Sequence, residues 1–432
     1  MLECALGLSL LVNGRTVLDG VPERSAALKF AEALAGFGLE SRLVGDQLVL
    51  DGRGFGYGVP ATLAGGLSPN ASAVLWALAS KAVGERFTIF AQDCTDFEAE
   101  ISLLKFLAPV EEEESGEGFF AFHFSAGLPS LKRQSYGGFD YLQRTFALLS
   151  ALVRGEALEF EEKCSIRDGF TSMLAYFGAN LRFEMQAPEM KSEFERRLAK
   201  LQGVKLERSW TTSLSETKLL APHDYLAPGD VTEAAALALA ALLSGSKEPA
   251  VIKNVGVGSG RAGVFALLKR MGAQIDYASK RKRCGELCAD VVVKPLGGER
   301  LQGAKFSGAQ LATAFEELPL LAVAACYAEK ETIFHLPPEL LERSHGLIEV
   351  LSLNLRRTGA EVGVYEDGFV VRGREEPAIA DFDARGYPVA ALAFFVMASL
   401  AKYSVQVGGL EEAEELFPGV PGMLAKLLGK EK

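Results

Sequence analysis

Phe315-Glu316-Glu317-Leu318-Pro319-Leu320-Leu321-Ala322-Val323-Ala324-Ala325 sets an acidic pair and a proline directly ahead of an apolar run. Such a run reads as a buried helix or strand, and the arrangement puts two carboxylates at the mouth of that element. Downstream, a helical pattern starting in Glu339-Leu340-Leu341-Glu342-Arg343-Ser344-His345 carries the chain to Arg356-Arg357-Thr358-Gly359-Ala360. Glu361 to Arg372 then alternates around Glu366-Asp367-Gly368 in the manner of a hairpin. The stretch is expected to run helix, glycine stop, strand, turn, strand.

The surrounding chain has 432 residues, 49% of them apolar, which is enough for two or three separate cores. Its longest apolar runs, Ala234 to Leu243 and Val389 to Leu400, are too short to span a bilayer and suit buried helices. Met1 to Val12 is apolar but has no basic residue ahead of it and no small-residue cleavage site, so no signal peptide is expected and the location is read as cytoplasmic. A formal charge of −11 argues against nonspecific nucleic-acid binding, which rests on Lys and Arg neutralising phosphates. The six cysteines are scattered, as reduced interior thiols would be. Cys284 and Cys288 lie four apart with no His or second Cys pair nearby, so two ordinary thiols are expected there rather than a metal site.

An internal repeat organises the sequence. Phe30 to Gly38 reads as a helix with a glycine stop and is followed by alternation through Leu50; Leu103 to Ala108 leads to Gly118-Phe119-Phe120-Ala121-Phe122; Met173 to Gly178 leads to Leu181-Arg182-Phe183-Glu184. The anchors Gly38, Ala108 and Gly178 recur about every 70 residues, too long for a solenoid and suited to a compact βαβαββ module. The pattern returns less regularly at Leu267 to Ile275 and Leu355 to Val362. Six modules, three per half, are expected. Two prolines and a glycine between Ala221 and Asp230 interrupt the periodicity and read as a linker or crossover between halves. Beyond it, Thr232 to Leu243 should be a buried helix capped by Asp230 or Thr232.

Several motifs, in order, resemble those of the enolpyruvyl transferases, most closely the 5-enolpyruvylshikimate-3-phosphate (EPSP) synthase family. Glu316-Glu317-Leu318-Pro319 and the alanine-rich run after it look like that family's Asp-Glu-x-Pro and Leu-Ala-Val-Ala-Ala. Pro228-Gly229-Asp230-Val231-Thr232-Glu233-Ala234-Ala235 looks like its Pro-Gly-Asp-x-Ser-Ser-Ala-Ala, and Asn254-Val255-Gly256 through Arg261-Ala262-Gly263 like its Asn-Val-Gly-x-Asn-x-x-Arg-x-Gly. Gly285-Glu286, Ala289-Asp290 and Phe417-Pro418-Gly419 also fit. The resemblance implies an α/β (α+β) chain of two domains, about residues 1–226 and 227–432, each of three βαβαββ units, closing over substrate at their interface. Cys4 to Gly14 looks like the family's first helix, so the second domain is expected to lack the strand, with its Lys-Ser motif, that the family places before that helix.

The reaction that the resemblance implies moves an enolpyruvyl group from phosphoenolpyruvate to a hydroxyl of shikimate 3-phosphate, with no metal or organic cofactor. Holding two polyanions in a closed cleft takes a ring of Arg and Lys. Most of that ring is absent. Where the family has Gly-Asn-Ser-Gly-Thr and then Arg, this chain reads Pro69-Asn70-Ala71-Ser72-Ala73 and then Trp76, keeping Asn70 alone. The Arg-Pro segment falls between Asp93 and Ser102, which holds Asp93, Asp96, Glu98 and Glu100 and no cation. The Ser-Ser-Gln aligns near Phe139-Asp140-Tyr141, and Ser-Lys-Pro-Tyr-Ile-Asp near Lys163 to Asp168, keeping Asp168. The family's Lys-Glu-Ser-Asp-Arg aligns with Arg343-Ser344-His345-Gly346-Leu347, so its acid/base Glu becomes Ser344. Its Asp-His-Arg becomes Gly386-Tyr387-Pro388, and its late Lys becomes Glu415.

The residues left to carry chemistry are Glu316 at the catalytic Asp position and His345 as the one titratable substitute beside Ser344, with an unperturbed pKa of about 6.5. Asn70, Asp168 and Arg343 are left for substrate binding. Each has a plainer reading: a solvated or capping carboxylate for Glu316 and Glu317, a surface or interdomain ion pair for Arg343 and Arg261, a turn or N-cap for Asn70, a solvated ring for His345. Lys280-Arg281-Lys282-Arg283 reads as a solvated turn. The expected protein is EPSP synthase-like with a decayed site, noncatalytic or repurposed. Its partner would be a small molecule in the interdomain cleft or another protein, with no nucleic acid and no membrane. The rival is an active 3-phosphoshikimate 1-carboxyvinyltransferase of the shikimate pathway. A UDP-N-acetylglucosamine enolpyruvyl transferase would need a loop Cys amid Gly and Arg, and Cys94 sits instead in Gln92-Asp93-Cys94-Thr95-Asp96.

Overall fold

The structure is a computed structural model that describes residues 1–21, 26–65, 67–82, 86–90, 110–114, 119–124, 134–135, 141–162, 169–186, 209–258, 260–342, 344–401 and 403–430. The chain divides into two compact units, Met1–Ala227 and Pro228–Lys432.

In the first unit the elements run α1 (Leu2–Leu11), β1 (Arg15–Asp19), α2 (Ala26–Ala35), β2 (Glu40–Val44), β3 (Gln47–Asp51), β4 (Thr62–Ala64), α3 (Pro69–Ala79), β5 (Arg86–Phe90), β6 (Val110–Glu114) and β7 (Phe119–Phe124). They continue with β8 (Gln134–Ser135), α4 (Tyr141–Arg154), β9 (Leu158–Glu162), α5 (Gly169–Tyr176), β10 (Leu181–Gln186), β11 (Ser209–Leu214) and β12 (Tyr225–Leu226). Three four-stranded sheets form, ordered β12-β1-β3-β2, β4-β5-β7-β6 and β10-β11-β9-β8. Each has the same plan. A short strand pairs parallel with a longer one, and that one pairs antiparallel with one arm of a hairpin. Parallel pairing requires a crossover, and the helices supply it on the buried side. The apolar residues of α1 surround its whole circumference, so it is buried on all sides from Cys4 to Leu11 and packs on α2, α3 and α5. Gly7 permits the closest approach, since a methyl there would overlap Val74 of α3.

The second unit runs α6 (Val231–Leu243), β13 (Ala250–Gly256), α7 (Gly263–Arg270), β14 (Gln274–Arg283), β15 (Glu286–Lys294), β16 (Lys305–Ser307), α8 (Ala309–Ala312), α9 (Leu318–Cys326), β17 (Glu331–His335) and α10 (Pro338–Glu342). It ends with α11 (His345–Arg357), β18 (Glu361–Tyr365), β19 (Gly368–Arg372), β20 (Phe382–Asp383), α12 (Pro388–Leu400), β21 (Val407–Gly408), α13 (Leu410–Leu416) and α14 (Val420–Leu427). Its sheets are β13-β15-β14, β16-β17-β19-β18 and the pair β20-β21. The apolar helices α6, α9 and α12 pack on one another inside one continuous core. The opening stretch is thus a helix, α9, with Pro319 in its first turn where a missing N–H costs nothing.

The repeated glycine stops share one hydrogen-bond pattern. After α2, α5 and α7, the residue following Gly38, Gly178 or Gly272 donates its N–H back across the helix end: Leu39 to Leu34, Ala179 to Leu174, Ala273 to Leu268. All three glycines are left-handed (φ between 92° and 95°), a conformation that spares glycine alone the Cβ penalty. Ala108, the middle anchor, lies outside the described residues. The basic run Lys280 to Arg283 is not a turn: it is the end of β14, and the turn sits beyond it at Cys284-Gly285, both left-handed (φ 47° and 83°). Among the described residues Cys4, Cys288 and Cys326 are buried, and no helix is long and apolar enough to cross a membrane.

Candidate active site

In the second unit, two of the motifs quoted above lie at the starts of α6 and α9. Asp230 is the N-cap of α6, accepting from the backbone N–H of Thr232 (2.7 Å) and Glu233 (3.2 Å). The Thr232 side chain therefore does not cap. Its hydroxyl donates instead to Oε1 of Glu317, at 2.7 Å. Both residues are buried, at 2% and 1% exposure, so the bond is made away from water, where a hydrogen bond is electrostatically stronger. Glu317 is the N-cap residue of α9 but its side chain makes no capping bond to that helix. The acidic pair thus divides: Glu317 is an interior tie between two helix starts, and Glu316, one residue earlier, is exposed.

Arg261 is not the surface residue that the sequence offered as one reading: it is buried, and its ion pairs are made within the second unit. Its Nη1 donates to Oε2 of Glu286 at 2.8 Å, both side chains being about nineteen-twentieths buried, and its Nη2 lies 3.9 Å from Asp230. Burial, with Asp230 adding repulsion, lifts the carboxyl of Glu233 to about 7. A second cluster sits where β13 and β14 both bulge opposite β15, between Ile252 and Val255 and between Ala278 and Arg281. There Asp290 accepts from the backbone N–H of Asn254 (3.0 Å) and from Lys253 Nζ (3.1 Å), and Arg281 donates to Asn254 Oδ1 (2.9 Å). The Asn254 N–H and the Lys253 ammonium hold the Asp290 carboxyl below the usual carboxylate range.

The remaining expected positions are structural or lie elsewhere. Ser344 is fully buried, and its hydroxyl donates to the carbonyl of Leu341 at 3.0 Å. Two residues on, a methyl at Gly346 would overlap the hydroxyl of Tyr387. Leu347 and Tyr387 both pack at the margin of the apolar core. Pro388 opens α12, and Glu415 is exposed on α13. His345 begins α11, though its side chain, like all of Arg343 and Asp168 and the acidic segment Asp93 to Glu100, lies outside the described residues. In the first unit Asn70 is half-buried as the second residue of α3. Ser68, not Asn70, is the cap, accepting from Ala71 N–H at 3.3 Å. Trp76, which stands where the resemblance expects Arg, is a buried residue of α3 at 1% exposure. In the sequence, Thr232 reads as a candidate cap, Glu317 as a solvated or capping carboxylate, and Glu286 and Glu233 only as members of motifs; none of them shows there the contact it makes in the fold. The one available signal was the Asp-x-Thr-Glu spacing at a helix start.

Chemically, the second unit offers an exposed carboxylate at Glu316, a half-buried one of raised pKa at Glu233, and a tied, buried pair at Arg261 and Glu286. This is a framework for holding carboxylates, with Arg261 engaged by protein partners.

The family model for EPSP synthase (3-phosphoshikimate 1-carboxyvinyltransferase) matches residues 148–424. The chain is 31% identical over 205 residues to the 3-phosphoshikimate 1-carboxyvinyltransferase of Syntrophomonas wolfei subsp. wolfei, covering 47% of each. It is 28% identical over 253 residues to that of Geotalea daltonii, covering 58% of each. The matched stretch thus spans about half the length of these curated relatives. Among solved structures, EPSP synthase from Acinetobacter baumannii superposes with a TM-score of 0.73 at 20% identity, covering 98% of this chain and 92% of that one. The enolpyruvyl transferase NikO from Streptomyces tendae gives 0.59 at 15% identity, covering 91% and 85%. At such identities the superpositions speak for the fold, which is mixed α/β and of the enolpyruvyl transferase type. Together with the family model over residues 148–424, they place the chain in the EPSP synthase family.

Proposed function

We propose that this member of the family no longer carries out enolpyruvyl transfer and serves as a noncatalytic or repurposed binder, of a small molecule or of another protein of the shikimate pathway, in the cytoplasm. The observation that supports this most directly is Ser344. At the position where the resemblance expects the acid/base Glu, a fully buried hydroxyl is spent on the Leu341 carbonyl. Leu347 stands where the resemblance expects an Arg and Tyr387 where it expects a His, and both pack on the core margin. Calorimetric titration with shikimate 3-phosphate, alone and with phosphoenolpyruvate, tests the reading. No heat of binding is expected from either. Micromolar binding of phosphoenolpyruvate at physiological salt would overturn it.

A second reading keeps an active 3-phosphoshikimate 1-carboxyvinyltransferase. It draws on Glu316, which stays exposed at the start of α9 while its neighbour Glu317 is tied back by Thr232, an arrangement suited to presenting one carboxylate as a base. Phosphate release in the presence of both substrates, abolished by Glu316→Gln, would favour this second reading.

A further inference from the structure

Helix α9 begins beside Glu316 and α11 beside Ser344, and their far ends meet, where Thr358 Oγ1 lies 3.9 Å from Cys326 Sγ. At that end the second unit carries an open cleft of about 960 Å³. Gly373 in its wall rests on the last carbonyls of α9: a methyl there would overlap those of Ala325 and Cys326, and the N–H of Arg374 donates to the Cys326 carbonyl at 3.0 Å. Gly359, left-handed at φ 80°, follows the end of α11. The two helices are 9 and 13 residues long, so about 14 Å and about 20 Å separate the cleft from Glu316 and Ser344.

The charges around the cleft fall into two groups. Arg372 is held between Glu331 (2.6 Å) and Glu361 (3.5 Å), while Arg356 and Arg357 donate to the carbonyls of Val362 and Asp381. Those cations are engaged. Arg374, Glu375 and Glu376 are exposed and line the cleft one after another, yet their side chains make no hydrogen bond or ion pair among the described residues, although their charges are opposite. The Arg374 guanidinium is nonetheless placed. It lies over Gly359, where a methyl would come 2.5 Å from Nη1, and the negative end of α11 favours a cation there.

Opposite charges that share a cleft without pairing select for a molecule that carries both signs. A simple anion drawn to Arg374 meets two carboxylates, and a simple cation drawn to those carboxylates meets Arg374. We infer that this cleft binds a small zwitterion, a free amino acid, with its carboxylate on Arg374 and its ammonium on Glu375 and Glu376. The open side leaves room for ligand side chains of different size, so the head groups set the affinity. The binding does not depend on whether the chain transfers enolpyruvyl groups.

Calorimetric titration of the full chain with glycine, L-leucine and L-glutamine tests this, with acetate and methylammonium as the separate halves. Saturable binding of all three amino acids is expected, with either half at least about tenfold weaker. Arg374→Gln and Glu375→Gln/Glu376→Gln should each weaken glycine binding at least about tenfold, since each removes a charged partner. Salt near about 1 M should weaken it as well, because the groups are exposed. Glu316→Gln should leave it unchanged, which separates this cleft from the start of α9. No saturable heat with any of the amino acids, a half that binds as tightly as the whole, or variants that bind like the wild type would overturn the inference. So would loss of glycine binding in Glu316→Gln. Far-UV circular dichroism checks folding; should Arg374→Gln unfold the chain, the double glutamate variant, whose altered side chains make no bond within the protein, decides the matter alone.

Discussion

The hydroxyl of Tyr387 lies against the α-carbon of Gly346, so that a methyl at Gly346 would overlap it and sit 3.4 Å from the ring carbon that bears it. The contact joins two stretches in which the family resemblance expects charged residues. Here an aromatic side chain packs on backbone instead. Overpacking of this kind costs about 1–3 kcal/mol. Gly346→Ala should therefore lower the urea midpoint, and Gly346→Ala combined with Tyr387→Phe should recover part of the loss, since the hydroxyl is the atom in the way. Strictly additive effects of the two changes would show that the residues do not meet.

Catalysis follows from the same region. Enolpyruvyl transfer requires a proton to be delivered to the methylene of phosphoenolpyruvate and one to be taken from the attacking hydroxyl. Ser344 cannot serve as the acid near neutral pH, and its hydroxyl is already engaged. The wild-type chain should release no phosphate above background when given both substrates, and should not rescue a strain lacking the synthase. If turnover is nevertheless seen, Glu316→Gln and His345→Ala should each remove it. Activity surviving both would move the chemistry to residues outside those named.

Local order was well marked in the sequence, and long-range partnership was not. The glycine stops at Gly38, Gly178 and Gly272, the hairpin at Glu366-Asp367-Gly368 and the buried helices α6, α9 and α12 follow from periodicity and from conformations that few residues tolerate. The tie from Thr232 to Glu317 joins positions 85 residues apart, and the pair Arg261–Glu286 joins positions 25 apart. Neither leaves a periodic trace. The basic run at Lys280 was misread as a turn because the bulge after Ala278 breaks the alternation that marks a strand, with Ser279 left-handed at φ 51°. Within the candidate site, substitutions were visible by position. Which of them had become packing residues was visible only once Ser344, Trp76 and Tyr387 had neighbours.

The Thr232–Glu317 bond gives a stability prediction. Taking the donor away from a buried acceptor costs about 1–3 kcal/mol, and Thr232→Val keeps the shape of the side chain while removing its donor. That variant should lose stability in this range by urea unfolding, whereas Thr232→Ser, which keeps the hydroxyl, should lose far less. Equal losses in the two variants would assign the effect to packing instead of to the bond.

Glu233 supplies the pH dependence. Its folded pKa of about 7 lies above the ordinary carboxylate value of about 4.3, chiefly through burial and secondarily through Asp230. A carboxyl raised in this way binds its proton more tightly in the folded chain than in the unfolded one. Its contribution is therefore neutral below the unfolded value, turns unfavourable as pH climbs from about 4.3 to about 7, and stays so above, at a cost on the order of 3 kcal/mol. Glu233→Gln carries no charge to desolvate. The variant should match the wild type in unfolding midpoint near about pH 4 and exceed it near about pH 8, with the gap opening across the interval between the two pKa values. A gap that is constant from acid to alkaline pH would mean that Glu233 titrates alike in both states, and that its half-buried place at the start of α6 is not what sets its proton affinity.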